Sequence, residues 1–135
     1  MADKRLLGTE SWLMDMRYNI RIYDSSNNLI RGVSQWDIDR EIKIKGLDIE
    51  SAPIIRVWNA NSETAIVLAA TINDGYVVFT LPNDLLKTAI DIRASVVVKN
   101  DDEYMTICRL TIPVAAQMKP ENYDDILPSD NNGGE

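Results

Sequence analysis

The sequence predicts an all-β fold: an antiparallel β-sandwich, immunoglobulin-like or jelly-roll-like, of about seven strands with one short helical turn and an arm at each end. Three observations carry this prediction. Apolar and polar residues alternate in run after run, the period of a strand with one dry and one wet face. Short stretches rich in Asn, Asp, Gly and Ser separate the runs, as turns do. No repeated unit of strand and long helix occurs, so a parallel α/β sheet is not expected. Two half-wet sheets must cover each other's dry faces, which makes a sandwich or a partly open barrel.

Residues 1–17 form an N-terminal arm. Its apolar residues, among them Leu6, Leu7, Trp12, Leu13 and Met14, follow no sustained period. An extended arm docked on another surface fits them, with a short helix over 10–16 as the alternative. The sandwich domain spans 18–114. It opens with Y-N-I-R-I-Y-D, which sets Tyr18, Ile20 and Ile22 on one face, and D-S-S-N-N follows as a turn. W-D-I-D-R-E-I-K-I-K-G, residues 36–46, reads as one strand with Trp36, Ile38, Ile42 and Ile44 inside. Asp37, Asp39, Glu41, Lys43 and Lys45 then line a solvated face, and Arg40 marks an edge or a bend.

P-I-I-R-V-W-N starts at Pro53, and T-A-I-V-L-A-A-T-I, residues 64–72, reads as another strand. Asp74-Gly75 between two β-rich runs is a hairpin signal. L-P-N-D-L-L-K-T-A, residues 81–89, breaks the alternation and predicts the helical turn, with Pro82 or Asn83 near its start. Residues 90–98 put Ile90, Ile92, Ala94, Val96 and Val98 on one face. Residues 104–114 do the same for Tyr104, Thr106, Cys108, Leu110, Ile112 and Val114, and Pro113 marks an edge or an end. Residues 115–135 are an acidic tail, expected to be disordered past 127.

The chain has 135 residues, enough for one domain, and 45% of them are hydrophobic. Twenty-one acidic residues outnumber 14 basic ones, giving a net charge of −7. That charge argues against nucleic acid and against an anionic membrane surface as partners. One cysteine, Cys108, permits no intramolecular disulfide. No signal peptide and no transmembrane span is legible, so assembly in a cytoplasm is expected. The domain is expected to fold without metal or cofactor.

Catalysis is not expected. The chain has no histidine, which removes the usual general base and the commonest zinc ligand. Cys108 falls on the apolar face of a strand, as a buried small hydrophobe does. No phosphate-cradling motif occurs, and N-D-G at 73–75 lacks the ligand spacing of a calcium loop. The tryptophans are more informative. Trp36 reads as core, Trp58 as core or interface, and Trp12 as an anchor into a neighbouring subunit.

Several segments, in order, resemble a family of small phage virion modules found in tail, baseplate or fibre-associated proteins of phages infecting Gram-positive hosts. They are W-D-I-D-R-E-I-K-I-K-G at 36–46, P-I-I-R-V-W-N at 53–59, the hairpin at Asp74-Gly75, L-P-N-D-L-L at 81–86, and T-I-P-V…K-P-E-N-Y within 111–123. The resemblance covers about residues 17–123. It implies a non-enzymatic structural protein in a virion assembled in the host cytoplasm. Its expected partners are other virion proteins and its own copies, with a trimer among the arrangements.

The chain departs from the family in two places. Val57-Trp58-Asn59-Ala60 stands where an aromatic-Ser-Asn stretch is usual. Only Asp124 to Glu135 follow Lys-Pro-x-x-Tyr, where relatives continue into receptor-binding regions. The resemblance therefore points to an attachment, adaptor or decoration role in tail, baseplate or head fibre. In that role Lys119, Pro120 and Tyr123 form a docking strap, with a plain frayed acidic terminus as the alternative, and join Trp58 and the N-terminal apolar residues as interface candidates. The alternatives are a carbohydrate-binding module using Trp58 or Tyr76, and a cytoplasmic protein-binding adaptor.

Overall fold

The computed structural model describes residues 20–127. Ten strands follow one another: β1 Arg21–Tyr23, β2 Val33–Ser34, β3 Glu41–Lys45, β4 Ile54–Trp58, β5 Ile66–Ala69, β6 Thr71–Asn73, β7 Tyr76–Thr80, β8 Ile92–Asn100, β9 Glu103–Ile112 and β10 Val114–Ala115. A 3-10 turn covers Asn83–Leu86, and a short helix α1 covers Tyr123–Ile126. Two four-stranded antiparallel sheets result, in the orders β1-β3-β7-β6 and β5-β4-β8-β9. β10 and β2 form a separate parallel pair.

The architecture is the all-β sandwich. Its core follows the alternation: Ile42 and Ile44 of one sheet, and Ile55, Val57, Ile92, Ala94, Val96, Leu110 and Ile112 of the other, are fully buried in one cluster. At Asp74-Gly75 both residues take positive φ, 59° and 83°, the twist that a two-residue hairpin loop needs. Pro82 caps the 3-10 turn, which buries Leu85 and Leu86.

Four expectations need correction. The run 36–46 is not one strand. Trp36 and Asp39 have φ of 73° and 54°, values a strand residue does not adopt, so pairing starts only at Glu41. Asp37 and Asp39 therefore share no face with Glu41, and Arg40 sits at the bend. Trp36 itself is half-buried rather than a core residue.

The run 64–72 is also not one strand. It leaves β5 in one sheet and enters β6 in the other, turning at buried Ala70. The side-chain period is the same in both sheets, so the pattern does not reveal the crossing.

In β9 the register skips Ile107: Val96 faces Cys108 while Val97 faces Thr106. One extra residue moves every side chain beyond it to the other face. Tyr104 and Thr106 thus lie outside, and Tyr104 is 53% exposed. In β8, likewise, Ile90 precedes the strand and is only half-buried.

The fourth correction concerns the tail, whose first part turns back onto the domain. The parallel pair β2–β10 brings it there, and close approach at Gly32 permits that pairing. A Cβ on Gly32 would lie 2.5 Å from the Pro113 carbonyl oxygen, while Val33 N donates to that same oxygen at 2.9 Å. Gly32→Ala is therefore expected to cost about 1–3 kcal/mol through backbone displacement, read as a lower midpoint in denaturant unfolding.

The turn after β1 is built on Asp24. Its carboxylate accepts the backbone N–H groups of Ser26 and Asn28, both at 2.9 Å. The Asn28 N–H chiefly, helped by that of Ser26, holds the Asp24 carboxyl below its ordinary 3.8. The turn's contribution is thus full above the unfolded-state value and is lost as pH falls through the lower folded value. An NMR titration of the Asp24 carboxyl carbon should show a midpoint below those of exposed aspartates. A midpoint at or above theirs contradicts the turn.

Candidate functional site

Two surfaces hold the residues of interest. The first is the end of the sandwich where the strap lands. With positive φ at Trp36, the chain leaves β2, and the Trp36 N–H donates to the Leu86 carbonyl at 2.7 Å. The indole Nε1–H donates to the Gln117 carbonyl at 2.8 Å. Gln35 ties three segments: its N–H donates to Ala115 O at 2.8 Å, its Nε2 to Lys87 O at 2.8 Å, and its Oε1 accepts the Gln117 N–H at 3.1 Å. Asp39 and Asn83 bond reciprocally, with Asp39 N to Asn83 Oδ1 at 2.8 Å and Asn83 Nδ2 to Asp39 Oδ1 at 3.3 Å.

Tyr123 completes this end. Its ring meets Trp36 edge to face, 5.1 Å between centroids at 71°, and only 1% of the residue is exposed. Lys119 Nζ lies 5.5 Å from the Trp36 ring and 5.7 Å from the Tyr123 ring, with Asp124 Oδ2 at 3.9 Å. Half-buried Pro120 accepts the Tyr123 N–H at 3.2 Å and so starts the turn into α1. The Tyr123 hydroxyl is buried and has no hydrogen-bond partner among the described residues.

The sequence assigns Lys119, Pro120 and Tyr123 to an intermolecular contact, yet the structure seats them on their own domain. Trp36, turned out of the strand by its backbone, is the bearing surface. Tyr123 leaves no surface for a partner, whereas the Lys119 side chain remains half exposed.

The second surface is the outer face of the sheet β5-β4-β8-β9. Trp58 lies opposite Arg93, which lies opposite Thr111. Arg56 lies opposite Ser95, which lies opposite Arg109. Three arginines and a half-buried indole thus share one face of a chain with net charge −7. Two shallow clefts flank Trp58. One of about 610 Å³ is lined by Asn59, Asp91 and Arg93 among others, and one of about 460 Å³ by Arg56, Glu63 and Ser95 among others.

Asn59 is buried because it shapes the following turn, where its N–H donates to Ser62 Oγ at 3.0 Å and its Oδ1 accepts the Asn61 N–H at 2.9 Å. The other aromatic candidate, Tyr76, has its ring surroundings filled. Lys45 Nζ is 4.9 Å away, Lys43 Nζ 5.4 Å, and Tyr23 packs edge-on at 5.5 Å. The arm residues Leu6, Leu7, Trp12, Leu13 and Met14 lie outside the described residues.

Among the described residues no cluster of three Cys, Asp or Glu side chains is placed to hold a metal ion, and Cys108 is buried. No described helix is long and apolar enough to cross a membrane. What both surfaces offer is flat or shallow contact area with cationic and aromatic groups.

No family model matches the chain, and neither a curated protein nor a solved structure is significantly similar to it.

Proposed function

We propose that this chain is a non-enzymatic structural component of a phage virion, an attachment, adaptor or decoration module of a tail, baseplate or head fibre. It works through protein–protein contacts and assembles in the host cytoplasm. The observation that carries the reading is the meeting of three segments far apart in sequence. W-D-I-D-R at 36–40, L-P-N-D-L-L at 81–86 and K-P-E-N-Y at 119–123 meet at one end of the sandwich. The chain's exit path is bolted there to a rigid body, as suits a module that must hold fixed geometry between neighbours. The same segments carry the resemblance to virion modules, which supports the particle setting.

A specific observation favours one second reading, a carbohydrate-binding module. Trp58 stands beside a shallow cleft with Asn59, Asp91 and Arg93, an aromatic platform with polar groups at its rim. One experiment separates the two. Particles are purified from cells that produce this chain, their proteins are quantified, and the isolated chain is screened on a glycan array. A fixed copy number per particle, a multiple of the particle's symmetry, is the expected result. Absence from particles overturns the proposal, and glycan binding abolished by Trp58→Ala then supports the second reading.

A further inference from the structure

We infer that residues 9–16 of the N-terminal arm seat on the outer face of the β5-β4-β8-β9 sheet of their own domain, over Val97 and among Arg56, Arg93 and Arg109. This seat does not depend on the virion setting. It starts from a burial for which the sandwich core does not account. Along β8, Ile92, Ala94 and Val96 face the core, so Arg93, Ser95 and Val97 face outward. Arg93 is exposed, as that parity requires, but Ser95 is only 6% exposed and Val97 0%. Val97 does not belong to the core cluster.

Side chains stand roughly perpendicular to a sheet, so neighbours in its plane flank an outward valine without roofing it. The two neighbours of Val97 across the ladder are half-buried Ile54 and exposed Thr106. A valine with no exposure on an outer face therefore has chain lying across it.

Reach, apolar content and charge choose the occupant. The described chain begins at Ile20, which shares a shallow cleft with Thr111 of β9. Thr111, Arg93 and Trp58 form one row across the sheet, and the row of Ile54 and Val97 lies four residues along, about 13 Å away. Extended, residues 9–16 reach about 13–36 Å from Ile20, which spans both rows. The segment reads T-E-S-W-L-M-D-M. Trp12, Leu13, Met14 and Met16 supply apolar cover for Val97. Glu10 and Asp15 bring the charge opposite to that of the three arginines, with no basic residue among them. The other terminal segment, P-S-D-N-N-G-G-E at 128–135, is acidic but has no large apolar side chain with which to cover a valine. A separate protein must find the face at its own concentration, whereas the arm is tethered beside it at an effective concentration on the order of millimolar. Trp12, expected as an anchor into a neighbouring subunit, is thus an anchor on its own domain.

The test uses the full chain with isotope-labelled methyl groups. Nuclear Overhauser contacts should join the Val97 methyls to a side chain within 9–16. A mixture of labelled and unlabelled chains, read through an isotope filter, should show no such contact, because it forms within one chain. Chymotrypsin then reports release of the arm by cutting after Trp12, Leu13 and Met14. Arg93→Glu combined with Arg109→Glu should speed those cuts about tenfold, with circular dichroism unchanged.

Absence of any contact between 9–16 and Val97 overturns the inference. A contact that survives the isotope filter overturns it too, because the arm then belongs to a neighbouring copy. Cleavage unchanged by the double reversal, in a folded variant, rejects the arginines as the arm's seat. Should that variant not fold, the contacts in the parent chain decide alone.

Discussion

Replacing Tyr123 with alanine is expected to release the strap and to cost about 3 kcal/mol, because a fully buried aromatic ring is lost from a packed site. The loss falls on a terminal segment, so it is expected to appear first as local opening rather than as global unfolding. The reporter is built in: the Trp36 indole N–H is held by the Gln117 carbonyl at 2.8 Å. Its hydrogen exchange should accelerate strongly in Tyr123→Ala while amides in β3 and β8 keep their protection.

Tyr123→Phe should behave in the opposite way. The hydroxyl is buried without a partner among the described residues, so removing it relieves a desolvation cost of about 1–3 kcal/mol at no loss of packing. The phenylalanine variant is expected to match or exceed the parent in thermal midpoint. A clear loss of stability in Tyr123→Phe would mean that the hydroxyl has a partner after all.

Leu86→Ala is expected to cost about 2–5 kcal/mol of global stability. Leu86 is fully buried in the sandwich core, and its carbonyl receives the Trp36 N–H. Unlike Tyr123, it belongs to the body of the fold. Its truncation should therefore lower the unfolding midpoint of β3 and β8 together with that of the strap. Comparing the two alanine variants by hydrogen exchange separates the bolt from the body: one opens locally, the other everywhere. An equal and global loss in both would make the strap part of the cooperative core.

The pattern of core and surface was legible because β3, β4 and the bulge-free half of β9 alternate with period 2, and burial follows that period. The hairpin at Asp74-Gly75 was legible because positive φ at two successive residues favours few side chains. What was not legible depended on single backbone angles. Trp36 looks like a strand residue until its φ of 73° turns it outward. Ala70 looks like the middle of a strand, although the chain there passes from one sheet to the other. Ile107 carries no sequence mark of a bulge.

The candidate site followed the same division. Tyr123 and Pro120 stood out as anchors from their spacing and chemistry, but their target could not be read. That target is a ring from far upstream whose direction depends on one unusual backbone conformation. The arginines that surround Trp58 carry no signal singly. Only the register of β4, β8 and β9 shows that Arg56, Arg93 and Arg109 share a face. The signal was available as outward parity in three strands, had the strand pairing been known.

The central proposal is that this chain is a fixed part of a virion, acting through protein contacts. The most direct measurement is a reconstruction by electron cryo-microscopy of native particles from cells that produce the chain. The account predicts density for a two-sheet sandwich at symmetry-related positions, with the strap seated on Trp36 and neighbours contacting the sandwich. Particles complete in every substructure and without that density would contradict it.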